Sequence, residues 1–173
     1  EGIYFGAELG LDHPLVKAGT PMHGANLFPA NPPGFRETVL EYMAAMTELG
    51  HTLMAGIALS LGLEKSSFAN RYTADPLTLF RIFNYPQPES GQQSAWGVGE
   101  HTDYGILTIL KQDDSGGLQV KSKGGRLNSE WIAAPPIENT FVCNIGDMLD
   151  RMTGGLYRST PHRVKNQSSR DRL

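Results

Sequence analysis

His101 and Asp103 stand two residues apart in GVGEHTDYGILTIL (97–110), directly ahead of a strongly apolar run. Along a strand, residues i and i+2 point the same way, whereas on a helix they diverge by about 200°. The apolar run after Gly105 favours a strand, on which an imidazole nitrogen and a carboxylate oxygen converge on one point. A mixed N/O pair of this kind suits Fe(II), Mn(II), Zn(II) or Ni(II). A hydrogen-bonded His–Asp pair in a partly buried core fits the same two residues, and the pair alone does not choose. His162 adds a third donor from a second strand, STPHRVKN (159–166), where Thr160, His162 and Val164 share a face. Two histidines and one carboxylate make a three-point face that leaves the other coordination positions open, as in non-haem Fe(II) oxygenases. Zinc hydrolysis can use the same donors. His13 and His23 lie in loop-like segments, and His51 on the less apolar side of a helix, so none of these joins the set.

The elements that must position these residues fall into two textures. Residues 1–33 are rich in Gly, Pro, His and Asn, and TPMHGANLFPANPPG (20–34) reads as extended loop. Phe35, Val39, Met43, Met46, Leu53 and Ile57 recur at helical spacing, which predicts a helix over 35–61 closed by Gly62. A short helix is predicted around Glu64–Ala69, before the Asp75-Pro76 break. Strands are predicted at 77–86, 101–112, 116–122, 130–136, 139–147 and 159–166, with turn residues between them and no interleaved helix. That order predicts an antiparallel sandwich or barrel. The organisation expected is an N-terminal loop and helical region over 1–75 and a β core over 76–173.

Charged residues make up 19 % of the 173 residues and the hydrophobic set 39 %, as in a folded globular chain. The formal charge of −3 predicts no pull toward nucleic acid or an anionic membrane, and no apolar stretch reaches spanning length. The single cysteine, Cys143, fits a reducing, cytoplasmic location.

The order HTD, His162, then Arg172 ten residues further resembles the Fe(II)/2-oxoglutarate-dependent dioxygenases, and within them the isopenicillin N synthase-like group. NTFVCNIGDMLDRMTGGLYRSTPHRV (139–164) is similar to that group's signature around its distal histidine; FNYPQP (83–88) and GGLQV (116–120) are similar to other landmarks. The resemblance implies a double-stranded β-helix (jelly-roll) core with the long N-terminal helix packed against it. It implies Fe(II) on His101, Asp103 and His162, and 2-oxoglutarate held at its distal carboxylate by Arg172 with help from Tyr85. A planar guanidinium suits that carboxylate on physical grounds as well. Arg81 lies on the same predicted strand face as Tyr85, where a snorkelling or ion-paired arginine is an equal reading.

Dioxygen is the further co-substrate implied, ascorbate a reductant, and a small organic molecule the substrate. Because halogenating relatives lack the carboxylate, Asp103 implies hydroxylation, desaturation or demethylation. A 2-oxoglutarate-independent Fe(II) oxidase of the same group, and an inactive truncated metal-binding module, remain alternatives. Asn84 replaces the second aromatic of the group's NYYP, and the chain stops at Leu173 before the serine of its R-x-S motif. The chain is therefore expected to be truncated at both ends.

Overall fold

The computed structural model describes residues 1–87, 96–122, 130–166 and 170–173. The chain forms two compact units: Gly2–Ile82, and Phe83–Leu173 together with Glu1.

In the first unit, β1 (Gly2–Gly6), a strand not predicted in the opening segment, pairs with β2 (Leu79–Phe83). This pairing keeps most of β2 with the N-terminal unit. A single turn, α1 (Pro14–Lys17), begins with proline at its first position, and the backbone N–H of Leu15 donates to His13 Nδ1. The long helix is α2 (Phe35–Ser60). Its end matches the expectation: Leu61 caps it and Gly62 takes φ +70°. Val39, Met43, Met54 and Ala58 are its buried residues. Met54 and Ala58 each lie about 100° around the helix from the expected Leu53 and Ile57, one residue's step of the helical period. The short helix expected around Glu64–Ala69 is helical only from Ser67 and continues as a π-helical turn over Ala69–Thr73.

Phe5, Val39 and Met43 form the centre of this unit, with Ile3, Phe28, Phe35, Phe80 and Ile82 packed around them. The Phe5 ring stacks on Phe28 at 4.9 Å and meets Phe35 edge-on at 5.9 Å. Phe5 is 1 % exposed, so Phe5→Ala should cost about 3–5 kcal/mol in chemical denaturation. Leu27→Ala, at a residue 93 % exposed, should leave the same transition in place.

Among its described residues, the second unit holds two antiparallel sheets. β3 (Trp96–His101), β8 (His162–Lys165), β5 (Leu118–Lys121) and β6 (Trp131–Ala133) form one, in that order. The other pairs β4 (Leu107–Leu110) with β7 (Val142–Ile145). The chain passes back and forth between the sheets, which is jelly-roll connectivity. A short helix, α3 (Asp147–Met152), interrupts the strands between β7 and β8, where none was predicted. Two carboxylates in its first turn, Asp147 and Asp150, complement the helix dipole and were the available signal.

The predicted strand over 101–112 is broken in two. β3 stops at His101, and β4 begins at Leu107 in the other sheet. Between them, the carbonyls of Asp103, Gly105 and Ile106 accept from the N–H groups of Asp147 (2.7 Å), Met148 (3.1 Å) and Gly146 (3.0 Å). Those acceptors are thus taken by the start of α3 rather than by a neighbouring strand. Among the described residues, no helix is long and apolar enough to cross a membrane.

Candidate metal centre

His101 and His162 are direct partners in the antiparallel β3–β8 pair, and their ring centroids lie 4.2 Å apart. Each imidazole turns Nδ1 back onto its own chain, His101 to the carbonyl of Gly99 (2.9 Å) and His162 to that of Thr160 (3.0 Å). A carbonyl only accepts, so Nδ1 carries the proton and the Nε2 lone pair is left for a ligand. Both Nε2 atoms face one oxygen, Asp103 Oδ1, at 3.8 and 3.7 Å. These separations are too long for hydrogen bonds. Two donors about 2.1 Å from a shared ion lie no more than about 4.2 Å apart, a limit both distances meet. The ligand atoms of all three residues lie within 4.8 Å of one another.

His162 is buried and Asp103 partly so, while the His101 side chain is 39 % exposed, leaving the group open on one side. The donor set and the two fixed tautomers fit Fe(II). The convergence predicted for His101 and Asp103 is present, but strand alternation does not produce it, because Asp103 lies in the loop after β3.

Arg172 is 5 % exposed. Tyr85 and Arg172 exchange backbone hydrogen bonds in both directions (2.7 and 2.9 Å), and the guanidinium lies 5.2 Å from the Tyr85 ring centroid. Arg172 Nε donates to the carbonyl of Gly116 at 2.7 Å. The Tyr85 ring packs on Gly97 of β3, where a Cβ would stand 3.0 Å from it. Among the described residues, Arg172 enters no ion pair. A buried guanidinium, whose charge already acts on the Asp113 carboxyl, suits an anionic ligand.

The family model described as the 2OG-Fe(II) oxygenase superfamily matches residues 65–173. The chain belongs to the 2OG-Fe(II) oxygenase superfamily. It is 58 % identical over 195 aligned positions to the "probable iron/ascorbate oxidoreductase" of Dictyostelium discoideum, covering 100 % of this chain and 52 % of that protein. To a homoarginine-6-hydroxylase of Glycine max it is 44 % identical over 161 positions, covering 90 % of this chain and 47 % of that protein. The crystal structure of a full-length Neurospora crassa protein in complex with alpha-KG superposes with a TM-score of 0.81 at 33 % identity, covering 99 % of this chain and 54 % of that one. The chain thus spans about half the length of the curated relatives it matches. The fold of this superfamily member is the double-stranded β-helix, and Fe(II) and 2-oxoglutarate are the metal and co-substrate of the family.

Other sequence candidates fall elsewhere in this oxygenase-family chain. The Arg81 guanidinium lies 5.2 Å from the Tyr4 ring centroid within the N-terminal unit. His23 Nδ1 bonds the carbonyl of Pro21. Sequence reasoning missed Asp113, whose carboxylate accepts from the N–H of Ser115 and Leu173 (both 2.9 Å) and so ties down the segment carrying Arg172. Burial pushes the Asp113 carboxyl up. The N–H groups of Leu173 and Ser115, the Ser115 hydroxyl and the Arg172 charge outweigh this and hold it below its ordinary 3.8.

A carboxylate depressed by folding contributes stability that is complete above its unfolded value and is lost as pH falls through the folded one. Asp113→Asn should therefore flatten part of the acid limb of a stability–pH curve below about pH 4. Thermal unfolding at stepped pH checks this.

Proposed function

We propose that this chain is the metal-bearing part of an Fe(II)- and 2-oxoglutarate-dependent oxygenase. In this reading it couples oxidative decarboxylation of 2-oxoglutarate to hydroxylation, desaturation or demethylation of a small organic molecule. The observation that carries the reading is the pair of committed Nδ1 atoms, which leaves two Nε2 lone pairs facing Asp103 Oδ1. His101, Asp103 and His162 would hold Fe(II), and Arg172, backed by Tyr85, would take the distal carboxylate of 2-oxoglutarate. When bound, Fe(II) supplies the redox chemistry that activates dioxygen.

The chain's own residues fix ligand tautomers, orient the anionic co-substrate and shield its charge. The name of the Dictyostelium relative supports ascorbate as reductant, and that of the Glycine relative supports a small polar substrate. The single cysteine, Cys143, supports a cytoplasmic location.

Succinate release from 2-oxoglutarate, measured with and without Fe(II) against a panel of small amino and keto compounds, tests the reading. Release should require Fe(II) and rise with substrate. Arg172→Leu should raise KM for 2-oxoglutarate by about 10–100-fold, the scale of a lost charge-assisted hydrogen-bond pair. Fe(II)-independent release, or an Arg172→Leu variant with unchanged KM, would contradict it.

A further inference from the structure

Asp103 Oδ1 faces the two histidines, and its other oxygen has a partner of its own. Asn144 Nδ2 donates to Asp103 Oδ2 at 3.4 Å. A carboxylate only accepts, so the amide nitrogen is the atom turned toward it. Asn144 sits on β7, opposite Thr108 of β4, in the sheet that does not carry the histidines. The residues just after it grip the same loop. Gly146 N–H donates to the carbonyl of Ile106, Asp147 N–H to that of Asp103, and Asp147 Oδ2 accepts from the Thr102 hydroxyl at 3.2 Å. The stretch 144–147 therefore fixes the 102–106 backbone, and of these bonds it is Asn144's that restrains rotation of the carboxylate itself.

We propose that Asn144 is the positioning residue for the carboxylate ligand. By holding Oδ2, it presents Oδ1 alone to the point shared by His101 and His162. With a metal bound, Asp103 would then bind through Oδ1, and Oδ2 would be kept off the ion. The proposal rests on His101, Asp103 and His162 binding a metal. Outer groups that hydrogen-bond a carboxylate ligand orient that ligand.

The test is Co(II) titration of the protein and of its Asp103→Ala, Asn144→Val and Asn144→Ser variants, read by visible absorption. Thermal unfolding without metal runs alongside. Valine suits a strand and has no donor; the serine hydroxyl is too short to span the gap. Asp103→Ala should abolish binding. Asn144→Val should bind about 10–100-fold more weakly. Its Co(II) bands should also lose intensity, because a second carboxylate oxygen raises the coordination number. A merely structural role would lower metal-free stability and leave the bands of the bound ion alone.

Asn144→Val with unchanged affinity and spectrum overturns the proposal. If that variant fails to fold, Asn144→Ser is judged by the same two readouts. If Asp103→Ala binds Co(II) as the unmodified protein does, the three-ligand reading has failed, and the role of Asn144 falls with it.

Discussion

Asp103→Ala is expected to abolish Fe(II) binding and turnover while leaving the metal-free protein folded. The two imidazoles keep their own backbone bonds through Nδ1 without Asp103, so neither ring is released by the change. What disappears is the negative charge facing both Nε2 atoms, at 3.8 and 3.7 Å. Two imidazoles, one of them on a side chain 39 % exposed, are then left to hold a divalent ion. The loss of affinity should exceed the about 10–100-fold that follows when a group behind a ligand is removed. Metal-free stability should change by no more than about 1 kcal/mol, the net worth of the long Asn144 bond to Asp103 Oδ2. The contrast is measurable in one experiment. Fe(II) should raise the melting temperature of the unmodified protein through linkage and leave that of Asp103→Ala unmoved. A metal-dependent shift of equal size in both would contradict the assignment.

Gly146→Ala is expected to disrupt both the fold and the site. A Cβ at Gly146 would stand 2.0 Å from the Gly105 carbonyl oxygen, 2.6 Å from its carbon and 3.2 Å from the Asp103 carbonyl oxygen. All of these are backbone atoms, so relief requires moving the loop that carries Asp103. The φ of Gly146 is −91°, which any residue adopts, so the penalty is steric and not conformational. A cost of about 3 kcal/mol or more is expected, at the upper end of overpacking, together with lost metal affinity because the displaced loop carries a ligand. Gly99→Ala is the control. No atom lies within 4 Å of its Cβ, although its carbonyl accepts from His101 Nδ1, and it should retain both stability and metal binding. Urea unfolding and Fe(II) affinity of the two variants check the pair.

The three convergent side chains were legible in the sequence because they are rare residue types in a distinctive order. What was not legible was how Asp103 comes to face the histidines. Period-two alternation gave the right convergence for the wrong reason. The strand ends at His101, and the aspartate is carried by a loop whose carbonyls are bound to the first turn of α3. That contact joins segments far apart in the sequence, and a six-residue helix is too short to leave a periodic trace.

The helix α2 was read nearly to its last residue, since Gly62 announces its end. The buried pair Met54 and Ala58 was not, because which side of a helix is covered depends on its neighbours as well as its own composition. β1 was hidden by a Gly- and Pro-rich setting, although Phe5 within it is the most buried aromatic among the described residues. Arg172 was singled out by the resemblance to the family's R-x-S motif. Its two-way backbone bridge to Tyr85 and its anchoring through Gly116 are tertiary facts without a local signature.

The central claim is that His101, Asp103 and His162 hold one Fe(II) that 2-oxoglutarate then meets, with Arg172 at its far end. Its most direct test is anaerobic addition of 2-oxoglutarate to the Fe(II)-loaded protein, followed by visible absorption. The expected result is the charge-transfer band that a 2-oxo acid gives with Fe(II), saturating at one Fe(II) per chain. The band should be absent in His162→Ala and should need more 2-oxoglutarate in Arg172→Leu. A band of full intensity in His162→Ala, or no band when Fe(II) is bound, would contradict it.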